Sequence, residues 1–248
     1  MATTSTSSCP PRHAAVVLFY KYFLSSEFPV LHKHGSYFEE QLLAFQKSLC
    51  QRLHLKGRIL LSAEGVNGTL SATSMEIIDT YIQEMEHFEL IQDCGLPCKA
   101  NAEAANAKTA CCQVDDDHKE RLFEHVDWKK SWSECSNLPE PFPDLKVSIV
   151  KEIISSGGGV KVDEIPQYGG THLEPSEFHK ILGNEPNVVL IDVRNTFECD
   201  IGHFVNPNTQ EPALNPEIVK FSMFDDTFCA KQAQTLKDKK ILMYCTGA

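Results

Sequence analysis

The 248-residue sequence has no run of 18 or more apolar residues, which argues against a membrane-spanning helix. It has no apolar targeting core at its start either. Met1 to Pro11 is rich in Ser and Thr, Arg12 is the first basic residue, and a strand-like run begins at Ala14. A secretory signal and an organellar transit segment are therefore not expected, and the cytoplasm is the default compartment. There is no Walker loop and no dinucleotide fingerprint, because Gly157-Gly158-Gly159 lacks the surrounding pattern. Positive charge is also short. The net charge of −11 argues against non-specific nucleic-acid binding, which draws on counterion release by Lys and Arg, but it leaves room for a local basic patch.

Ten cysteines are present, at 9, 50, 94, 98, 111, 112, 135, 199, 229 and 245. The chain is too long to need a disulfide scaffold, so reduced thiols are expected. Cys94-x3-Cys98 and Cys111-Cys112 invite a zinc reading, but adjacent cysteines make a poor second ligand pair, and no metal or organic cofactor is expected.

Residues 14–23 read as a buried first strand. Phe38, Leu42, Phe45, Leu49 and Leu53 fall at helical spacing, with Ser36 and Glu39 as a capping pair. Ile59 to Ser62 and Thr69 to Ala72 read as strands around a Glu64–Gly68 turn, since Asn67 and Gly68 tolerate positive φ. That turn is either a partner-binding surface or simply a demanding hairpin. Thr73, with Glu76, caps a second helix carrying Ile77, Ile78, Ile82 and Met85 and ending near His87. A late strand spans Lys146 to Ile153. The order β-α-β-β-α-β is the ferredoxin-like plan, with helices on one face of the sheet and the other face left for a partner. Residues 95–117 read as an inserted loop, and 118–132 as a short helix or ordered loop.

The Gly-rich stretch 155–170 reads as a linker, in which Pro166 resists helix. The expected domains are thus 12–154, α+β and ferredoxin-like, and 171–248, α/β with a parallel sheet. In the second, a helix begins at Glu174, and Val188 to Val193 and Ile241 to Cys245 are strands apolar on both faces.

Cys245 ends the last strand, at the edge where open parallel sheets bind ligands. A thiol there, followed by a tight loop of backbone N–H groups, is suited to be held as thiolate and to carry sulfur; the alternative is a buried strand-end cysteine. Asp192, Arg194 and Glu198 form a charge cluster that ties loops of the same edge together or sits solvated on the surface. His203, in Gly202-His203-Phe204, reads as a structural hydrogen-bonding group, with a solvated loop residue as the alternative.

The segments LLSAEGVNGT (60–69), FPDLKVSIVKEII (142–154), VVLIDVRNTFECDIGHF (188–204) and MYCTG (243–247) together resemble the rhodanese-domain family of tRNA uridine hydroxylases. That family includes the thiosulfate sulfurtransferase/rhodanese-like domain proteins. The likeness covers roughly 14–90 and 142–248. It implies a ferredoxin-like domain followed by a rhodanese domain. It also implies an enzyme that installs 5-hydroxyuridine at the tRNA wobble position, or a thiosulfate sulfurtransferase. Cys245 matches the active cysteine, which in rhodaneses carries a persulfide. Asp192 and Arg194 match the pair that supports the active-site loop, and Glu198, Gly202, His203, Thr246 and Gly247 match the motif around it. The implied partners are tRNA and a sulfur donor such as thiosulfate or a persulfide protein, with no membrane.

The family continues after Cys-Thr-Gly with a glycine and an Ile-Arg-Cys-Glu run, where this sequence has Ala248 and stops. The loop after Phe204 is about three residues short of the family pattern, and 95–117 is inserted. The sequence reading is therefore of a truncated rhodanese-like domain of weak activity, because the helix N-terminus that steadies a rhodanese thiolate lies beyond Ala248. A non-catalytic RNA- or protein-binding role, and an incomplete gene product, are the competing readings.

Overall fold

The computed structural model describes residues 14–28, 31, 36–88, 121–133 and 140–246. It divides into two compact units, Met1–Lys151 and Glu152–Ala248. The expected insertion at 95–117 and the cysteines at 94, 98, 111 and 112 fall outside the described residues.

The first unit is built from β1 (Ala14–Tyr22), α1 (Ser36–Arg52), β2 (Lys56–Ser62), β3 (Gly65–Ala72), α2 (Met75–Glu86), β4 (Lys129–Ser133) and β5 (Leu145–Ile149). The sheet order is β4-β1-β3-β2-β5. The α+β, ferredoxin-like class is as expected, but the fourth strand is not. Its place beside β1, antiparallel, is taken by Lys129–Ser133, read from sequence as helix or loop. The run expected as the fourth strand forms only Leu145–Ile149, an added edge strand parallel to β2. The reason is the face each run can bury. Trp128 packs its ring 4.8 Å from Phe19 in the core and so draws the following residues alongside β1.

Alternation along β1 puts Ala15, Val17 and Phe19 into the core, where they meet Leu42 and Leu49 of α1 and Ile78, Tyr81 and Met85 of α2. One buried polar cluster pairs internally: the Tyr81 hydroxyl donates to Gln46 Oε1 at 2.8 Å, and Gln46 Nε2 donates to Met85 Sδ at 2.7 Å. Asn67 and Gly68 lie inside β3, not in a turn; only Ala63 and Glu64 separate β2 from β3. Gly68 is small for a packing reason, since a Cβ there would meet the Phe19 ring at 2.5 Å. The residue preceding α2 is Ser74 rather than Thr73, with no side-chain bond to the helix backbone; its hydroxyl instead bonds Glu76 and lowers that carboxyl's pKa. The expected Ser36 cap rests on a side chain outside the described residues.

The second unit contains α3 (Ile165–Tyr168), α4 (Pro175–Asn184), β6 (Val188–Asp192), α5 (Thr196–Ile201), α6 (Ala230–Leu236) and β7 (Lys240–Tyr244). Pro166 does not block helix here, because it occupies the first turn of α3, where no N–H partner is lost. β6 and β7 are parallel. On its other side β6 exchanges backbone bonds with Leu214, at 3.0 Å from Asp192 N–H and 2.8 Å to Leu190 C=O. Leu182, Leu190, Ala213 and Leu242 form the small core. No helix among the described residues is long and apolar enough to cross a membrane.

Candidate active site

The carboxyl ends of β6 and β7 bring most of the expected site residues together. Asp192 and Tyr244 are register partners, so their side chains share one face. Asp192 is fully buried. Burying a carboxylate is costly unless it is paired and hydrogen-bonded, and here it is both. Its Oδ1 accepts from the Arg194 backbone N–H at 3.1 Å and from Arg194 Nε at 2.8 Å. Its Oδ2 accepts from Arg194 Nη2 at 2.6 Å and from the Tyr244 hydroxyl at 2.7 Å. Burial pushes the Asp192 pKa up, but these bonds and one to the Cys199 thiol outweigh it and hold the carboxyl at about 2.

Arg194 reaches further. Its Nη2 donates to Gly202 C=O at 2.5 Å, and its guanidinium lies 5.5 Å from the centroid of the Tyr244 ring. Tyr244 in turn accepts from the Phe204 N–H at 2.9 Å and stacks on the Phe204 ring at 4.2 Å. Its phenol is raised to about 12, by burial and by the Asp192 carboxylate, against the opposing bond from Phe204. It therefore stays protonated and keeps donating at neutral pH. The result is a closed polar unit that fixes the 202–204 loop to the ends of both strands.

Glu198 does not join this unit through Arg194, as a charge cluster would suggest. Its carboxylate pairs with Asn195, whose Oδ1 accepts from the Glu198 N–H at 3.1 Å, forming a capping box at the start of α5. The Asn-x-x-Glu spacing at 195–198 carries that signal in the sequence. The His203 Nδ1 lies 3.0 Å from the Cys199 C=O.

Cys245 follows β7 directly and is exposed, not packed in the interior. The Tyr244 C=O beside it accepts from the Val193 N–H at 3.0 Å, which places Cys245 just past the Asp192–Tyr244 pair. Its Sγ lies 3.8 Å from Thr246 Oγ1, and no hydrogen bond joins it to Asp192 or Arg194. Gly247 lies outside the described residues. Two members of the site were not anticipated from sequence, Tyr244 and Cys199. The thiol of Cys199 is raised to about 11 by burial and by its bond to Asp192. For Tyr244 a signal existed, since equal offsets along two parallel strands place 192 and 244 side by side.

A family model described as the UPF0176 acylphosphatase like domain matches residues 14–153. The chain belongs to the UPF0176 family. Among its relatives, "Rhodanese-like domain-containing protein 6" of Arabidopsis thaliana is 32% identical over 94% of this chain and 34% of its own length. The "tRNA uridine(34) hydroxylase" of Corynebacterium aurimucosum is 30% identical over 83% of this chain and 54% of its own. That of Acholeplasma laidlawii is 30% identical over 94% and 55%. The chain spans about half the length, or less, of these curated relatives. In this UPF0176 member the ferredoxin-like unit is the part the family model covers, and the strand-end cluster around Asp192 lies outside that match.

Proposed function

We propose that this protein is a rhodanese-like enzyme acting on tRNA, related to the wobble-uridine 5-hydroxylases, with residues 171–248 as its rhodanese-like part and Cys245 as its reacting group. The observation that carries the reading is the position of Cys245. The thiol is exposed one residue past a parallel strand pair whose ends are tied by Asp192, Arg194 and Tyr244. An accessible sulfur on a rigid edge is what sulfur transfer needs. In that step the Cys245 thiolate attacks the sulfane sulfur of a donor of the thiosulfate class. A new S–S bond forms to Cys245, the donor's own S–S bond breaks, and sulfite leaves with the electron pair. Asp192, Arg194 and Tyr244 hold the edge still, as do Glu198 and His203 more remotely, and they exchange no proton with the sulfur. The names of the relatives make tRNA the partner to test.

The test is twofold: cyanolysable sulfur on the purified chain after thiosulfate treatment, and 5-hydroxyuridine in the tRNA of cells that lack their own hydroxylase. The wild-type chain is expected to carry the sulfur or restore the nucleoside, and Cys245→Ala to do neither. Equal signals from both proteins would overturn the assignment of Cys245. No signal from the wild type in either assay would overturn the enzymatic reading.

A further inference from the structure

The net charge of −11 is unevenly distributed. None of the five strands of the first unit contains an Asp or a Glu, whereas they carry Lys56, Arg58, Lys129 and Lys146 among their residues. The carboxylates sit elsewhere, for example at Glu39 on α1 and at Glu76 and Asp79 on α2.

Strand alternation decides which face these cations occupy. Ala15, Val17, Phe19, Ile59 and Leu61 turn toward the helices and are fully buried. Residues one position away turn to the opposite face. On that face the pairing registers form a continuous cross-strand row from Lys129 through Leu18 and Thr69 to Arg58 and Lys146. With strands about 4.8 Å apart, the row is about 19 Å long. Lys56 lies on the same face one row away, across from Ser71. The row on the other side runs from Tyr20 through Asn67 to Leu60, and the Tyr20 side chain is 41% exposed. One cation at one end of this row and two adjacent ones at the other thus flank an accessible aromatic and an aliphatic platform.

We infer that this sheet face, opposite the helices, docks a single-stranded RNA loop, with Tyr20 stacking a base, Leu60 packing beside it, and Arg58, Lys129, Lys146 and Lys56 holding phosphates. Every base offers a π-face to an aromatic ring, and a cationic row follows a phosphate backbone. The choice of an anticodon loop as ligand rests on the tRNA reading proposed above.

Three of the cations already have carboxylate partners at the rim. Lys56 Nζ lies 2.5 Å from Glu140, Arg58 Nη2 lies 2.6 Å from Asp144, and Lys129 Nζ lies 3.6 Å from Asp127. The Lys56 and Arg58 pairs are solvent-exposed, and exposed pairs are weak enough for a phosphate to displace; the Lys129 ammonium is more covered and its pair is the longest of the three. They act as internal competitors that hold down non-specific binding. Lys146 pairs with no carboxylate among the described residues and is the first cation open to a phosphate.

The experiment is fluorescence anisotropy of a labelled anticodon stem-loop with the full chain, titrated at several salt concentrations. Four variants are compared at accessible positions: Tyr20→Ala, Lys146→Gln, Glu140→Gln and Asp144→Asn. Tyr20→Ala is expected to bind roughly tenfold more weakly, from the loss of one stacking platform. Lys146→Gln should lower the slope of log affinity against log salt by about 0.7. Glu140→Gln and Asp144→Asn should bind more tightly than wild type, which a merely structural pair would not do. The inference is overturned if all four bind like wild type, if the wild type does not bind, or if polyglutamate competes as well as oligouridine, which would assign the face to an acidic protein. Catalysis is read separately. A wild type that binds through this face yet forms no 5-hydroxyuridine and carries no sulfane sulfur refutes the enzymatic reading alone. A wild type that modifies tRNA, with the Tyr20 and Lys146 variants unchanged in KM, refutes the docking face alone.

Discussion

Replacing Asp192 by Asn tests the polar unit at the strand ends most directly. The carboxylate is fully buried and accepts from Arg194 and Tyr244 through both oxygens. An amide has one accepting oxygen and no charge, so Arg194 and Tyr244 each lose a matched partner. The folded carboxyl titrates at about 2, against an unfolded value of about 3.9. A depressed folded pKa stabilises above the unfolded value and loses that stabilisation as pH falls through the folded one. The difference corresponds to about 2.5 kcal/mol at pH 7, of which about half is gone by pH 3. Breaking one side of a buried ion pair gives a similar figure of about 3 kcal/mol. Both tryptophans, Trp128 and Trp132, belong to the first unit, so fluorescence does not report on this site. The buried thiol of Cys199 does. Pulsed alkylation of Cys199 in urea, read by peptide mass spectrometry, should show a midpoint lowered by about 1–2 M in Asp192→Asn at pH 7, using a slope of ~1–3 kcal/mol per molar. The gap should narrow by about half at pH 3, where a dipyridyl disulfide replaces the alkylating agent, because its protonated ring is displaced by thiols that ordinary alkylators no longer label. Equal midpoints at pH 7, or a gap that does not change with pH, would refute the argument.

Gly68→Ala forces a methyl group against the Phe19 ring and should destabilise the first unit by about 1–3 kcal/mol, visible as an earlier urea transition in Trp128 fluorescence. Stability within about 0.3 kcal/mol of wild type would show that the close approach is not tight. In the native chain at pH 8, Cys245 should alkylate well before Cys50 and Cys199, since those two are buried and raised to about 12 and about 11. Simultaneous labelling of all three by mass spectrometry would contradict the burial. The assays for Cys245→Ala and for the sheet-face variants complete the set.

Local patterns in the sequence were enough for the first two strands, the second half of the third, the first two helices and the parallel pair, because each rests on short-range periodicity. The helix over Ser36–Arg52 follows from Phe38, Leu42, Phe45 and Leu49 at helical spacing. The strand at 188–192 follows from an unbroken apolar run covered on both faces. The positions of Asp192 at the end of one strand and of Cys245 just past the other were also legible, since each apolar run stops there. Tertiary structure decided what depends on partners distant in sequence. Lys129–Ser133 is a poor strand by composition, yet it closes the sheet because its neighbour Trp128 is anchored on Phe19 and Tyr81. Gly68 reads as a turn residue until the Phe19 ring is placed over it. Tyr244 is one apolar-run residue among several until strand pairing sets it 2.7 Å from a carboxylate 52 positions earlier. Periodicity reports which side of an element is apolar. It cannot report which distant group that side will meet, because that is fixed only when the strands pair and the core closes.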